Sequence, residues 1–517
     1  RSKNKLETGI IEEIKLENLY RNPAGNWSVW DSILYGKVRY EPNITLLLNC
    51  SCNGLEMEGD RIASVRGWQL TSETWHTVRA RLFADCSGDS ILAPLSGAEF
   101  RIGREAASEF GEDIEPEVAD HKTMGLSCLI QARETDHPQP FIPPHWAHDY
   151  PTDDCLLHRD HDPKRSNFWW IELGGEDDSI HDTEALRDEL LKIAFGVWDH
   201  IKNHGDHGAE NWVLDWVGFL PGKRESRRYI GDHILTQNDV RAEGRFDDLV
   251  AYGGWPMDDH HPAGFRYPGP PTTFHPAPSP FGIPYRCLYS RNVANLLFAG
   301  RNISTTHAAL TTAREIATCA ICGQAVGTAA AIAVRHGLTP RGVYQERLRE
   351  LQLTLMDDDC WLPWHVRQVW SLTREAALTA SSGDPEPLRN GIDRPVNDED
   401  NGWRGQIGAW VEYRFDQPRR VRELRFIFDS DLNRPGLNMP HTYPLNAAPY
   451  RVPTTMTRAF RVEAQDESEA WRVIAREDNN YQRLVRLPAD VVVRALRFFP
   501  EATWGAEMAH LFAWDVR

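Results

Sequence analysis

Two junctions, each a short apolar strand followed by a glycine-containing turn, carry residue types that suit ligand binding. The first is Phe83-Ala-Asp-Cys-Ser-Gly-Asp-Ser90 and the second is Leu297-Phe-Ala-Gly-Arg-Asn302. A glycine at the end of a parallel strand lets a ligand approach the backbone, because no Cβ stands in the way. The helix predicted after the second junction adds free N–H groups and the positive end of its dipole, which attract phosphate. The pair of junctions therefore predicts a site for a phosphate-bearing ligand.

Gly323 and Gly327 lie four residues apart, and hence on one face of that predicted helix. One interpretation is close packing of the helix against a sheet, and the other is a face turned toward the ligand. The two interpretations are compatible.

A histidine series in the middle of the chain has the spacing of metal ligands. His200, His204 and His207 follow the pattern H-x3-H-x2-H near a predicted helix end, where one helix face can present several imidazoles. No cysteine accompanies them and polar loop residues surround them, so we predict that no metal is bound.

The cysteines give no cofactor signal either. Cys319-Ala-Ile-Cys322 matches C-x-x-C, but it lies in an Ala-rich helical run, which favours two packed side chains over a redox pair. The run of closely spaced cysteines that a 4Fe–4S cluster needs is absent. Nine cysteines, an odd number placed mostly in predicted strands and helices, favour free thiols in a reducing compartment, and we expect a cytoplasmic protein.

Composition excludes several function classes. The 517 residues include 75 acidic and 57 basic side chains, a formal net charge of −18, which disfavours nucleic-acid binding. The chain contains no G-x-S-x-G elbow, H-E-x-x-H motif or phosphate loop, so a hydrolase or a kinase has no support. We also predict no membrane span, because the longest weakly polar run, Cys319 to Val334, is short and holds Gly and Gln.

The elements that must position the two junctions form an α/β pattern. Helices are predicted over 9–40, a strand over Ile44–Leu48, and a meander of short strands over 55–78. Residues 100–290 show weak periodicity, with one clear helix over Thr183–Asn203, and are interpreted as a substrate or cap region. A strand over Asn295–Ala299 then leads into a long helix that reaches His336, and another helix covers 343–356.

The C-terminal part has a different pattern. Residues 359–379 have the composition of a linker, and short alternating strands separated by turns follow from 380 to 517. Such strands predict a separate all-β sandwich. The predicted strands cover Ala409–Phe415, Val421–Phe428, Ala459–Ala464, Trp471–Ala475 and Val491–Phe499.

Several segments together resemble the bacterial FAD-dependent oxidoreductases of the glutathione-reductase-type flavoprotein superfamily. They are the two junctions, Pro221-Gly-Lys-Arg-Glu-Ser-Arg-Arg228, Ile283-Pro-Tyr-Arg-Cys287 and Gly323-Gln-Ala-Val-Gly-Thr-Ala-Ala330, in the order of that family. The resemblance covers about residues 5–358. It implies a Rossmann-like FAD-binding core, interrupted by the substrate region, over residues 1–358.

The resemblance also implies which residues lie beside the cofactor. They come from the first junction, the second junction with the start of its helix, and the glycine-bearing helix face. The implied set is Asp85, Ser87, Gly88, Asp89, Gly300, Arg301, Asn302, His307, Arg314, Gly323, Gln324, Gly327 and Thr328.

One departure from the family pattern concerns the dinucleotide-binding unit. Such flavoproteins start with a strand and a G-x-G-x-x-G turn that holds the pyrophosphate, and no such motif occurs in this sequence. The chain opens without Met, and we expect that its first residue falls after that unit.

The residues that would act on the substrate are predicted in the middle region. Oxidation of a C–H bond beside oxygen or nitrogen by a flavin needs a base and a cation or donor to steady developing charge. Histidine beside a carboxylate suits the first role, and arginine suits the second. The candidates are His260, His261, His275, Arg227 and Tyr285, with Arg228, Arg286 and His307 of similar type.

The C-terminal strands resemble a discoidin-like β-sandwich, a galactose-binding-like jelly roll. The anchors are Leu378-Thr-Ala-Ser-Ser-Gly, Asn401-Gly-Trp403 and Trp410-Val-Glu-Tyr-Arg-Phe415. The resemblance implies either carbohydrate binding or a structural cap. The sequence therefore predicts an FAD-dependent oxidoreductase acting on a small molecule such as a sugar or polyol. The alternative is a carbohydrate-binding or scaffold protein with a degenerate flavin fold.

Overall fold

Three hydrophobic cores organise the chain. The computed structural model describes residues 3–435 and 439–517. One core surrounds a pair of parallel strands, one surrounds the long helix of the middle region, and one lies inside the C-terminal β-structure. The two cofactor-type junctions belong to the first core, because Phe83, Leu297 and Phe298 are buried there.

The first region starts with two helices and an antiparallel meander. Its elements are α1 (Ile10–Arg21), α2 (Trp27–Arg39), β1 (Cys50–Glu58), β2 (Arg61–Gln69), β3 (Thr74–Arg79) and β4 (Phe83–Asp85). The meander has the order β1-β2-β3. The predicted helices and meander strands are confirmed.

The predicted strand Ile44–Leu48 is wrong. These residues pair with none of the described strands, and Ile44 and Leu48 are 45% and 50% exposed. A strand is stable only when a neighbour satisfies its backbone N–H and C=O groups. An apolar run read in isolation cannot show whether that neighbour exists.

The middle region has short strands around one long helix. Its elements are α3 (Leu92–Ser96), β5 (Phe100–Arg101), α4 (Ala107–Phe110), β6 (Leu126–Ser127), β7 (Ile130–Glu134), β8 (Glu172–Leu173), α5 (Thr183–Asn203), β9 (Trp212–Val217), β10 (Gly222–Lys223), β11 (Arg228–Tyr229), α6 (Gln237–Arg241), β12 (Leu249–Gly253), β13 (Met257–His260), β14 (Thr272–His275) and β15 (Phe281–Pro284). Helix α5 has the predicted bounds, because Leu186, Leu190, Ile193 and Val197 form one buried face at helical spacing.

The second junction follows β16 (Leu296–Phe298), which pairs in parallel with β4. The next helices are α7 (His307–Ala313), α8 (Ile316–His336) and α9 (Pro340–Asp357). The single long helix predicted here is in fact two helices. Glu315 has extended backbone angles, and Arg314 before it reaches Asp258 on β13, so a tertiary contact accompanies the break.

Helix α8 is the one helix of the described chain that is long and apolar enough to span a membrane. It packs against α9, α1 and β12, as a core helix does. A soluble core helix meets the same length and composition criteria.

The chain reaches its C-terminal part through a packed connection. Residues 359–379, predicted as a linker, contain buried Cys360 and Leu362 and the helix α10 (Ser371–Glu375). The strands that follow are β17 (Ala377–Ala380), β18 (Trp403–Gln406), β19 (Val411–Phe428), β20 (Thr442–Tyr443), β21 (Thr457–Gln465), β22 (Trp471–Glu477), β23 (Leu484–Thr503) and β24 (Met508–Val516).

Seven of these strands form one hydrogen-bonded network. Its path is β18-β24-β19-β23-β21-β22, and β17 also pairs with β19. Two of the predicted strands are the halves of one long strand, β19. The two halves pair with different neighbours, β17 near Val411 and β24 near Phe428, so the network curls around an aromatic core. The all-β character of this part is confirmed.

The parts of the chain pack directly on one another. Leu16 of α1 belongs to the C-terminal core, and Glu12 pairs with Arg434 at 2.6 Å. Strand β20 adds to the middle region by pairing in parallel with β7. Parallel pairing in the first region consists of β4 and β16 in the described chain, so the open Rossmann-like sheet remains a prediction.

Candidate active site

The parallel pair brings the two junctions side by side. Phe298 pairs with Asp85, so the turns after the two strands leave the sheet at the same edge. The Asp85 carboxylate accepts hydrogen bonds from the backbone N–H groups of Ser87 and Leu92 and from the Tyr229 hydroxyl at 2.6 Å. The buried Asp85 side chain therefore holds the shape of its own turn.

A cluster of charges joins both turns to the Pro221–Arg228 segment. Asp89 of the first turn pairs with Arg301 of the second at 2.7 Å and with Lys223 at 3.0 Å. Ser226 donates to Asp89 and accepts from Arg301. Burial by itself would raise the pKa of Asp89, but Arg301 and Lys223 outweigh it and lower that pKa. Three segments distant in sequence thus meet at one carboxylate.

Two glycines of the turns have backbone conformations that other residues rarely adopt. Gly88 has φ +77° and Gly300 has φ +116°, and a Cβ on Gly88 would lie 2.9 Å from the Arg301 side chain. Asn302 is buried and donates to the Asp85 carbonyl, while its Oδ1 has no hydrogen-bond partner among the described residues. A buried orphan acceptor between two such turns is a feature expected of a ligand site.

The predicted residues on α8 divide into two pairs. A Cβ on Gly323 or Gly327 would meet nothing within 4 Å, so their face of the helix is open. Gln324 instead accepts from the Ile10 N–H, and the Thr328 hydroxyl donates to the Gln324 carbonyl. Both of these side chains therefore serve contacts within the chain.

Buried carboxylates surround the start of α7. We call this group the α7 cluster: Glu105, Glu112, Glu115, Glu225, Arg228 and His307. Glu105 accepts from the His307 N–H, Glu115 from the Ala308 N–H and Glu112 from the Thr306 hydroxyl. These contacts complement the exposed N–H groups and positive dipole end of the helix.

His307 is the cationic member of the cluster beside Arg228. Its Nδ1 lies 2.8 Å from Glu225 and its Nε2 lies 3.4 Å from Asp259. Burial would lower the pKa of His307, but the charges of Glu225 and Asp259 raise it well above the usual range. The two carboxylates therefore favour the protonated form of His307.

Glu115 differs from Glu225 in that its pKa is raised rather than lowered. Burial raises its pKa to about 7, with a further contribution from Glu105 that His307 opposes. Its Oε2 is buried and has no hydrogen-bond partner among the described residues. A carboxyl with a pKa near 7 suits proton transfer at neutral pH.

A second buried group surrounds His260 on β13. Its Nδ1 lies 2.7 Å from Glu172 and its Nε2 lies 3.2 Å from Asp258, whose carboxylate also contacts Arg314 at 3.3 Å. Trp169 packs edge-on against the imidazole. Because both ring nitrogens face carboxylates, neither is free to accept a proton from a substrate in this arrangement.

The other substrate-side candidates are spread more widely. His261 stacks on Tyr267, and its burial lowers its pKa. His275 lies on β14 opposite Met257, half-buried, and its charge acts on Asp259. These two histidines line the same hairpin as His260.

Arg227 and the two candidates near β15 have neighbours of their own. Arg227 donates to the Asp89 carbonyl and so lies at the edge of the cofactor-type turns. Tyr285 is fully buried and donates to the Pro340 carbonyl, and Arg286 forms a two-point ion pair with Asp248. Tyr285 is therefore a packed core residue, and Arg286 is held by an ion pair with Asp248.

The carboxylates of these two buried groups have no distinguishing pattern in the sequence. Glu105, Glu115 and Glu172 lie outside the segments that carried the prediction, and acidic residues are common on surfaces, so their types alone gave no signal. Glu225 was inside the Pro221–Arg228 segment but was not singled out. Only burial around α7 and β13 distinguishes these four residues from surface acids.

The comparisons with known proteins give one long match and several short ones. The model of a family described as "FAD dependent oxidoreductase" matches residues 3–355. No curated protein matches the chain. The long match contains both junctions, the α7 cluster and the His260 group.

Several of the short matches are solved structures of carbohydrate-binding modules. One is the family 32 module of Streptococcus pneumoniae EndoD, with 13% identity and a TM-score of 0.21, covering 28% of this chain and 97% of that one. Another is the family 32 module of C. perfringens NanJ in complex with galactose, with 8% identity and a TM-score of 0.21, covering 28% and 94%.

Proposed function

This chain belongs to the FAD dependent oxidoreductase family, and from this membership we propose that it oxidises a small polyhydroxylated substrate, such as a sugar or polyol. The observation that carries the proposal is the convergence of three family-type segments on Asp89. Its contacts to Arg301, Lys223 and Ser226 bring both strand-end turns together.

The residues around these turns fit FAD. Gly88 and Gly300 allow close approach to the backbone, and α8 has an open face at Gly323 and Gly327. The buried Asn302 Oδ1 has no hydrogen-bond partner within the described part of the chain. Arg301 and Lys223 supply positive charge suited to the cofactor phosphates. Bound FAD supplies the hydride acceptor.

The chain's own residues supply the proton chemistry and the charge. We assign the proton acceptor to Glu115, because burial raises its pKa to about 7 and its Oε2 accepts no hydrogen bond from the residues that the structure describes. His307 beside it holds a positive charge that limits the rise of that pKa. The geometry favours Glu115 over His260, because carboxylates occupy both nitrogens of His260.

The charged groups also suit a substrate with several hydroxyls. Glu112 and Glu115 each have a buried oxygen with no hydrogen-bond partner among the described residues, and each can accept a hydrogen bond from a hydroxyl. An apolar substrate would leave those oxygens unpaired, at a cost of about 1–3 kcal/mol each. This contrast supports sugars and polyols over apolar compounds.

Anaerobic reduction of the flavin tests the proposal. The full chain, supplied with FAD, should retain the cofactor, and a panel of sugars and polyols should include at least one that bleaches its visible absorbance. A chain that retains no FAD would overturn the cofactor assignment. A chain with bound FAD that no sugar or polyol reduces, but an apolar alcohol does, would overturn the substrate class.

The proton acceptor is tested with matched variants. Glu115→Gln should slow flavin reduction by about 10²–10⁴-fold, with FAD content unchanged. Glu109→Gln, an exposed carboxylate paired with Arg101, should reduce flavin at the rate of the parent chain. Equal rates in Glu115→Gln and the parent, with a slow His260→Ala or His275→Ala, would move the role to that histidine.

A second activity, carbohydrate binding by the C-terminal β-structure, is favoured by a polar pocket. We propose that this pocket, of about 290 Å³, binds a sugar. Asp400, Arg404, Asp431 and Asn433 are among its lining residues and offer both donors and acceptors to hydroxyls.

Glycan-array binding by the full chain tests this second activity. Asp431→Ala and Asn433→Ala should weaken binding, whereas Asp478→Ala, at an exposed ion pair with Arg476, should not. An array without any bound glycan, or equal binding by all variants, would contradict it. Flavin reduction in the same variants should stay unchanged, which separates the two activities.

A further inference from the structure

Three histidines and one aspartate converge at the end of α5, far in sequence from the cofactor-type turns. They are Asp153, His161, His200 and His207, and their ligand-type atoms all lie within 4.8 Å of one another. His200 and His207 come from α5 and the loop after it, while Asp153 and His161 come from the loop over 135–171 that precedes β8. We call this group the histidine cluster.

The distances between the ligand-type atoms of the histidine cluster are close to those around a single bound ion. The Nε2 atoms of His200 and His207 are 3.1 Å apart, and the Asp153 Oδ1 lies 3.1 Å from His200 and 3.6 Å from His207. The Nε2 of His161 lies 4.0 Å from the same oxygen. Ligands at 2.0–2.1 Å around a tetrahedral ion are about 3.3 Å apart, so these separations fit one bound ion.

The outer partners of two histidines fix which nitrogen is free. His200 Nδ1 lies 2.7 Å from the Tyr150 carbonyl, and His161 Nδ1 lies 2.8 Å from the Arg159 carbonyl. A carbonyl can only accept, so each Nδ1 carries the hydrogen, and in the neutral ring Nε2 has the lone pair that a metal ion would need. Metal-binding histidines show this arrangement, in which a second partner sets the tautomer and the ring orientation.

Burial is graded around the cluster as a structural metal site requires. His200 is fully buried, His207 and His161 are 12% and 17% exposed, and Asp153 at 72% faces solvent. The three imidazoles thus lie on the buried side of the histidine cluster, and the Asp153 carboxylate lies on its solvent side. An ion can enter from the solvent side and end with four protein ligands.

We propose that the histidine cluster binds one divalent transition-metal ion, with zinc as the fitting ion. Three imidazole nitrogens and one carboxylate oxygen form a borderline donor set, which suits zinc and disfavours the all-oxygen sites of calcium and magnesium. Four protein ligands leave no open position, so the ion has a structural role.

The ion ties the loop over 135–171 to the region beside the candidate active site. Arg159, whose carbonyl accepts from His161, donates through its guanidinium to the carbonyls of Gly264, Phe265 and Tyr267. Tyr267 stacks on His261. Loading the histidine cluster therefore stabilises the segment that follows β13.

The sequence pattern H-x3-H-x2-H, at which we predict no metal from the sequence alone, contains a different set of histidines. His204 turns away from the histidine cluster, with its Nε2 3.1 Å from Asp199 and 4.0 Å from Asp149. In the structure its place is taken by His161 and Asp153, which the pattern does not contain. The two possible ligand sets can therefore be distinguished by mutation, because one contains His204 and the other contains His161.

Metal content and binding by the full chain test the proposal. Purified protein, stripped with a chelator and dialysed against zinc, should hold one tightly bound ion per chain. His161→Ala and His207→Ala should weaken zinc binding at least about 100-fold. His204→Ala and His181→Ala, an exposed histidine paired with Asp178, should bind like the parent chain.

A spectroscopic measurement separates coordination from folding. Cobalt bound in place of zinc should give the intense visible absorption of four-coordinate Co²⁺, seen as a difference spectrum, and Asp153→Asn should alter that spectrum while FAD content stays constant. Chelator-stripped protein that takes up no zinc would overturn the proposal. So would equal loss of binding in His204→Ala, or six-coordinate cobalt.

Discussion

Two buried ionic groups in this protein differ in charge balance. The α7 cluster sets four glutamates against Arg228 and His307. A second group, which we call the interface cluster, lies where the helical region meets the C-terminal strands and sets three arginines against three aspartates. Its members are Arg367, Arg425, Arg483, Asp359, Asp393 and Asp515.

The two clusters shift the pKa values of their carboxylates differently. In the interface cluster Arg367 and Arg425 both contact Asp393, and although burial would raise its pKa, these two arginines lower it to about 2. At the other two aspartates of that cluster burial outweighs the arginines and raises the pKa. In the α7 cluster, burial and neighbouring carboxylates raise the pKa of Glu115 to about 7. A carboxyl with a pKa near neutrality can exchange a proton there, which suits a chemical role.

Breaking the interface cluster should have the largest effect. Arg425→Met leaves Asp393 and Asp515 buried without one of their partners, and we expect a loss of about 3–5 kcal/mol in the free energy of unfolding. Urea denaturation of the full chain measures it. Arg420→Met, which removes an exposed pair with Asp490, should cost less than about 1 kcal/mol; similar losses in both variants would contradict the structural role.

The pH dependence of stability should reveal the excess of carboxylates over cationic groups in the α7 cluster. The folded pKa of Glu115 lies above its unfolded value of 4.5, so its stabilising contribution is complete below pH 4.5 and is lost as pH rises toward about 7. The Glu115→Gln variant has no carboxyl to titrate at this position. Between pH 4.5 and 7 its free energy of unfolding should therefore fall by about 2–3 kcal/mol less than that of the parent chain. Denaturation at several pH values checks this, and parallel curves would show that Glu115 titrates normally.

Removing the charge at Asp89 should weaken cofactor binding without unfolding the chain. Asp89→Asn loses the charged contacts that orient Arg301 and Lys223, and we expect FAD to dissociate about tenfold more readily, or about 1.4 kcal/mol. Flavin fluorescence titration measures it. Glu99→Gln, at an exposed pair with Arg291, serves as control, and unchanged FAD affinity in Asp89→Asn would remove this group from the cofactor site.

The smallest effect is expected at Tyr285. Tyr285→Phe deletes a hydroxyl that donates to the Pro340 carbonyl, at a cost of about 1 kcal/mol in stability. Flavin reduction should keep its rate, because the side chain is buried among packing residues. A large loss of rate with normal stability would restore Tyr285 as a group that acts on the substrate.

Elements with a strong local pattern could be predicted from the sequence. Helix α5 has its predicted bounds, and the strands of the meander and of β21 and β22 lie close to the predicted ranges, because periodicity and turn residues act over a few positions. Ile44–Leu48 fails because a strand needs a partner. The prediction of one long helix after β16 fails because the break at Arg314 accompanies a contact with Asp258, which is distant in sequence.

The candidate site divides in the same way. The two junctions could be found, since a strand that ends in a glycine turn is a local signal, and the structure places them side by side. Glu115 and Glu172 could not be found, because burial is set by the packing of segments far apart. The contact of His161 and Asp153 with His200 could not be found either, because it too depends on the packing of distant segments. The sequence pattern contains His204 instead.

The sequence by itself therefore determined the residue types and local conformations: glycine turns after short strands, a long amphipathic helix and an alternating all-β C-terminal part. The tertiary structure decided which charges face one another and which are removed from water. Coulomb energy and desolvation depend on distance and burial rather than on order along the chain. For that reason Glu115 and the histidine cluster gain their chemical character only when the chain is folded.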